Sequence, residues 1–150
     1  MTEQLRMKDK AFIDTNIIIY LYSEDEPEKQ RISKKTFDNY ECIVSTQVLN
    51  EFCNICFKKF NLSSDEVQYA INEIISQCNV LLIETENISQ ALDIHAKYGY
   101  GYFDSLIISS ALSSNCKYLL TEDLTDGQII NDKLTIINIL KSNSHQFSDN

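Results

Sequence analysis

AFIDTNIIIYLY, residues Ala11 to Tyr22, is the stretch on which the fold turns. Ala11 to Asp14 follows a charged lead-in and combines aromatic and β-branched character, which predicts a short buried strand ending on an acid. From Asn16 to Tyr22 the apolar spacing reads as the start of a helix. A buried strand running into a helix leaves Asp14 at the strand's carboxyl end, where open α/β sheets bind their ligands.

Moving outward, the same alternation repeats. Pro27 suits the first turn of a helix running to about Tyr40, and Cys42 to Ser45 is a second apolar run. Thr46 is placed to cap a helix in which Val48, Leu49, Phe52, Ile55 and Cys56 recur at helical spacing, with Glu51 off that stripe. Ser63 and Glu66 form a capping-box pattern for a helix through Val67, Ile71, Ile74 and Ile75, and Val80 to Ile83 reads as a third strand. A helix is expected from Ile88 to Tyr98, stopped by Gly99 and Gly101. Another runs from about Phe103 to Ser113, with Leu106, Ile107, Ser110 and Ala111 inward and Asp104 in its first turn. Tyr118 to Thr121 and Leu134 to Asn138 complete five strands around an acidic loop, Glu122 to Gly127. Strands alternating with helices predict an α/β fold with a central, mainly parallel five-stranded sheet flanked by helices, because each parallel connection needs a crossover. The expected organisation is a lead-in over 1–10, one domain over 11–141 and a flexible polar tail over 142–150.

Composition narrows the class. A chain of 150 residues, 43% hydrophobic and 23% charged, has the make-up of one globular domain. Three Gly and one Pro are too few for a sandwich or barrel of many tight turns. The longest apolar run, Ile17 to Tyr22, is too short to span a bilayer, and the polar start reads as no signal peptide, so a cytoplasmic protein without a membrane partner is expected. Five cysteines in such a chain predict reduced thiols that pack the core. Cys53 and Cys56 form a C-x-x-C inside a helical pattern, without a second pair or a nearby His to complete a zinc site. The net charge of -9 is unusual for a nucleic-acid binder. Cations in an acidic site would reverse its sign locally, while Lys29, Arg31, Lys34 and Lys35 read equally as a positive patch or as a solvated helix face.

Asp14 and Asp123 follow strand ends, and Glu51 and Asp104 lie in helices that follow the same edge. Single acids at such places are commonly caps and dipole partners, so it is their joint placement that carries weight. Four carboxylates with no Lys or Arg among them repel one another unless a cation intervenes. An oxygen-only donor set suits Mg²⁺ or Mn²⁺. Such ions make a bound water more acidic and stabilise charge at a scissile phosphate, in a two-metal arrangement from about 3.5–4 Å apart. Thr15, Asn16, Ser45 and Thr121 are polar neighbours able to hold carboxylates or waters in place. His95 and His145 lie away from these segments.

Four segments, FIDTNIIIY at Phe12 to Tyr20, VSTQVLNEF at Val44 to Phe52, GYGYFDSLIISSA at Gly99 to Ala111 and LLTEDLTDGQ at Leu119 to Gln128, resemble successive motifs of PIN domains. The resemblance spans Ala11 to Leu140 and is nearest the bacterial single-domain VapC-type toxins of toxin–antitoxin pairs. It implies that Asp14, Glu51, Asp104 and Asp123 are catalytic metal-binding acids, with Thr15, Asn16 and Thr121 in small polar positions and Asp126 as an additional acid. It further implies Mg²⁺- or Mn²⁺-dependent cleavage of RNA, a small antitoxin partner and a homodimer. Two alternatives stand beside it. One is a non-catalytic PIN-like module that binds RNA or protein. The other is a Mg²⁺-dependent phosphoacceptor receiver domain, whose third strand should end in Asp and whose fifth should be followed by Lys, where this chain has Glu84 and Ile139.

Overall fold

The computed structural model describes residues 7–141, so the expected tail from Ser142, and His145 within it, lie outside the described residues. Its elements run β1 (Lys10–Ile13), α1 (Thr15–Leu21), α2 (Pro27–Asn39), β2 (Glu41–Ser45), α3 (Thr46–Lys58), α4 (Ser64–Gln77), β3 (Asn79–Leu81), α5 (Thr85–Tyr98), α6 (Tyr102–Ser113), β4 (Tyr118–Thr121), β5 (Ile129–Ile130) and β6 (Leu134–Asn138). They build an α/β fold on one sheet of order β3-β2-β1-β4-β6-β5. All neighbours are parallel except β5, which pairs antiparallel with β6.

The sheet therefore has six strands where sequence periodicity predicts five. The additional strand is a two-residue segment, too short for alternation to register, and it is held by the register Ile129 to Thr135 and Ile130 to Leu134. β1 lies between β2 and β4, so the chain builds outward through β3 on one side of β1 and returns to its other side with β4. This order differs from the 2-1-3-4-5 order of receiver-type sheets, which removes the receiver alternative. It also creates a switch point between β1 and β4, where side chains beyond the two strand ends meet in a crevice.

The central strands are apolar throughout because helices cover both faces. Phe12, Ile13, Leu119, Leu120 and Ile136 are fully buried. α6 is more enclosed than its sequence suggests: Ser105, Ile108 and Ser109 are buried along with Leu106, Ile107, Ser110 and Ala111. The reason is α5, which packs along α6 on the side away from the sheet. The buried hydroxyl of Ser109 donates to the Asn87 carbonyl at 3.0 Å and to Gln90 Oε1 at 2.8 Å, so enclosure does not strand it.

Local signals place most boundaries. Ser63 Oγ accepts from Glu66 N–H at 3.1 Å and Glu66 Oε1 accepts from Ser63 N–H at 2.9 Å, the reciprocal pair expected at the start of α4. Two helix starts differ from expectation. The cap of α3 is Ser45, whose Oγ accepts from Val48 N–H at 3.3 Å, while Thr46 is the first helical residue and its hydroxyl accepts from Ile83 N–H at 3.2 Å. α5 begins at Thr85 rather than Ile88, because Asn87 Oδ1 accepts from Glu84 N–H at 2.9 Å and ties the first turn to the end of the preceding segment. All five cysteines are free. Burial pushes the thiols of Cys42, Cys78 and Cys116 up to about 12, which fits inert core packing.

Candidate functional site

Asp14 is both the end of β1 and the N-cap of α1, a double role its position dictates. Its backbone N–H continues the sheet to Leu120 O at 3.0 Å. Its Oδ1 accepts from Thr15 N–H at 2.7 Å, and its Oδ2 accepts from the Thr121 hydroxyl at 2.8 Å, across the β1–β4 switch point. Only 7% of Asp14 is exposed. Burial raises its pKa to about 6; the bonds from Thr121 and Thr15 oppose the rise, and the nearby charges of Glu51 and Asp104 add to it.

Thr121 also accepts from Asp123 N–H at 3.2 Å, so one hydroxyl links two acids. Asp123 Oδ2 accepts from Asn16 Nδ2 at 2.9 Å. On α3, Glu51 Oε1 accepts from the Thr15 hydroxyl at 2.6 Å and Oε2 from Gln47 Nε2 at 3.2 Å. Gln47 stands one helical turn before Glu51, and its amide also donates to Phe103 O at 3.1 Å, which pins the start of α6 to α3. Asp104, in the first turn of α6, has its pKa raised by partial withdrawal from water, then by Asp123 and Glu51.

The four carboxylates line one cleft of ≈ 870 Å³, together with Thr15 and Asn16. Not every residue singled out from sequence faces it. Ser45 spends its hydroxyl on the α3 cap. Asp126 Oδ1 accepts from Asn138 N–H at 2.8 Å, in the loop beyond β4. His95 Nδ1 pairs with the Tyr100 carbonyl, outside the cleft lining. Of the basic residues of α2, Lys29 lines the cleft but is held by Glu122 at 3.0 Å and Glu26 at 3.3 Å, with Tyr20 beneath it. Arg31 pairs with Glu28 on the outer surface.

Gln47, Tyr20 and Lys29 belong to the site's surroundings and went unmarked as such in the sequence. Gln47 was within reach of helical spacing alone, four residues ahead of Glu51. The Tyr20–Lys29–Glu122 contact, in which the Tyr20 hydroxyl donates to Glu122 at 2.8 Å, joins residues far apart in the chain and has no local signal.

The donor set fits a hard divalent cation. It consists of oxygens only, and Asn16 Oδ1 is a further buried oxygen without a hydrogen-bond partner among the described residues. As posed, no three acidic, His or Cys side chains among the described residues stand close enough to enclose an ion. Each is instead tethered to its own wall by Thr15, Thr121, Gln47 or Asn16, or, for Asp104, repelled by its neighbours. Relief of that repulsion is measurable: Asp104→Asn in metal-free buffer is expected to hold or raise the melting temperature. A marked fall would make the carboxylate structural.

A family model described as PIN domain matches residues 11–125. Among solved structures, the chain is similar to a toxin–antitoxin complex from Klebsiella pneumoniae, at 20% identity over 83% of this chain and 95% of that one, with a TM-score of 0.64. It is similar to DNA-bound VapBC from Salmonella typhimurium, at 20% identity over 85% and 96%, with a TM-score of 0.63. Mycobacterium tuberculosis VapC20, described as a sarcin–ricin loop cleaving toxin, aligns at 13% identity over 73% and 86%, with a TM-score of 0.59. At these identities the likeness is one of fold. No curated protein matches the sequence.

Proposed function

This chain belongs to the PIN domain family, and on that premise we propose that it is a divalent-metal-dependent endoribonuclease, the toxin of a type II toxin–antitoxin pair. One observation carries the proposal: acids from four separate elements line a single cleft at the sheet's switch point, and no ion pair among the described residues reaches any of them. A merely structural carboxylate is normally paired or capping, and a site of unpaired acids has its natural complement in a cation and the phosphates the cation attracts.

Asp14, Glu51, Asp104 and Asp123 would hold Mg²⁺ or Mn²⁺. When bound, such a cation supplies Lewis-acid polarisation of a phosphoryl oxygen and a more acidic water at neutral pH. The chain's own contribution is positioning. Thr121 fixes Asp14 relative to Asp123, Thr15 fixes Glu51 relative to α1, and the Asn16 amide steers Asp123, so the acids keep their spacing when RNA arrives. The fold relatives described as toxin–antitoxin assemblies, and the one described as cleaving the sarcin–ricin loop, support a small antitoxin as partner and RNA as substrate. The family resemblance adds a homodimer. No helix among the described residues is long and apolar enough to cross a membrane.

The test is cleavage of RNA by the purified protein with Mg²⁺ or Mn²⁺, its loss in EDTA and its return when metal is restored. Robust cleavage in chelator would remove the metal from the mechanism. RNA binding without new RNA ends under any metal would favour the non-catalytic module.

A further inference from the structure

The cleft does not end at the carboxylates. From Glu51, α3 continues through Asn54, Ile55 and Lys58 at steps of three, four and seven residues, the spacing of one helical face, and all of them line the cleft with Lys59 and Phe60 just beyond. Lys58 is about 10 Å further along the helix axis than Glu51, at about 1.5 Å per residue. The helix end is firmly made: Lys59 N–H donates to Ile55 O at 2.8 Å, and Leu62 N–H reaches back to Cys56 O at 3.1 Å past Asn61, whose φ is 53°. The two lysines are thus held on the lip of the cleft by a rigid element.

The cleft's charges single these lysines out. Asp14, Asp25, Glu26, Glu51, Asp104 and Asp123 line it against only Lys29, Lys58 and Lys59. Lys29 is taken by Glu26 and Glu122. Neither Lys58 nor Lys59 makes an ion pair among the described residues; Lys59 Nζ lies 5.9 Å from the centre of the Phe60 ring, which is 37% exposed. Lysines at a helix end complement its dipole in any protein, so their position in the helix decides nothing. Their place on the same wall as Glu51, in a chain whose net charge is -9, does. A strand whose scissile phosphate sits at the acids must lead its neighbouring phosphates past further charge, and these are the cleft's only cations, among the described residues, not already held by a carboxylate. Cations beside an exposed aromatic ring are also the usual make-up of a single-strand-binding surface.

We propose that Lys58 and Lys59 bind an RNA phosphate flanking the scissile one, and so set the direction in which the strand lies across α3. The proposal rests on the nuclease reading above, and the experiment separates the two. Binding of a fluorescently labelled single-stranded oligoribonucleotide is measured by anisotropy in Ca²⁺, over a range of salt, for wild type, Lys58→Gln/Lys59→Gln and Lys58→Arg/Lys59→Arg. Both positions are exposed, so the variants should fold, which circular dichroism checks.

The Gln pair should bind about tenfold more weakly at low salt, with a salt dependence shallower by about 0.7 per lysine removed, and the Arg pair should bind as wild type does. In Mn²⁺, the Gln pair should raise KM for the oligonucleotide while leaving hydrolysis of bis(4-nitrophenyl) phosphate, which has no flanking phosphate, unchanged. Equal affinity and equal salt slope in the Gln pair would overturn the proposal even if the wild type cleaves RNA. Equal loss on both substrates would overturn it too, by making the lysines structural. Should the wild type bind as expected yet cleave neither substrate, the phosphate site stands and the nuclease reading falls.

Discussion

Asp14→Asn and Asp104→Asn are each expected to lower RNA cleavage at least about a thousandfold while the fold persists. Asparagine preserves the shape of the side chain, and at position 14 it retains an oxygen to accept from Thr15 N–H, so α1 keeps a good cap. What it removes is the charge. Asp14 stands at the switch point, with Glu51 and Asp104 close enough for their charges to raise its pKa, so the neutral variant leaves the remaining acids with a weaker hold on a cation. Asp104 makes no hydrogen bond among the described residues that would give it a structural duty. Because the acids act through a shared ligand, the double variant should be scarcely worse than either single one, whereas independent contributions would multiply. Single-turnover cleavage with saturating metal checks this. Undiminished cleavage by Asp14→Asn would end the proposed mechanism.

How much of this was legible in the sequence depends on whether the signal was local. The strand before Asp14, the capping box at Ser63 and the proline start of α2 are written in neighbouring residues, and the structure contains each of them. The path of the sheet was legible as parallel crossovers, but β5 was not, because two residues carry no period and Ile129–Ile130 exists only through its pairing with β6. The start of α3 moved from Thr46 to Ser45 for a related reason. Either hydroxyl suits a cap, and the choice falls to Ser45 once Thr46 is claimed by Ile83 from another segment. The acids themselves stood out at element junctions. Their tethers did not: that Thr121 links Asp14 to Asp123, or that Gln47 joins Glu51 to the start of α6, follows from strand order and helix packing rather than from any run of residues. The balance of charge along the cleft emerged only when Lys29 proved to be bound by Glu122 and Lys58 did not.

In metal-free buffer, the wild type is expected to lose stability relative to Asp14→Asn as pH rises from 4 to 7, by an amount on the order of 3 kcal/mol at neutral pH. The sign follows from the direction of the shift. The Asp14 carboxyl is raised from its ordinary 3.8 to about 6 in the folded protein, with burial as the largest cause. Between those values the folded chain holds a proton that the unfolded chain has released, so folding is penalised progressively as pH rises through the window, and fully above it. Below about pH 4 both states are protonated and the penalty vanishes. With only 7% of the residue exposed, solvent screening relieves little of it. Asparagine never ionises, so the two proteins should melt together near pH 4. Near pH 7 they should separate by roughly 5–10 °C, taking about 2–4 °C per kcal/mol for a domain of this size. Comparing variant with wild type cancels the other carboxylates, including Glu28 and Glu66, whose pKa values are lowered and whose contributions run in the opposite direction. Saturating Mg²⁺ or Mn²⁺ should close the gap by binding the folded wild type, since a ligand held by the native state alone stabilises it by mass action. If Asp14→Asn melts at or below the wild type at pH 7 without metal, the carboxylate is a structural cap, and the charge strain attributed to the cleft is not there.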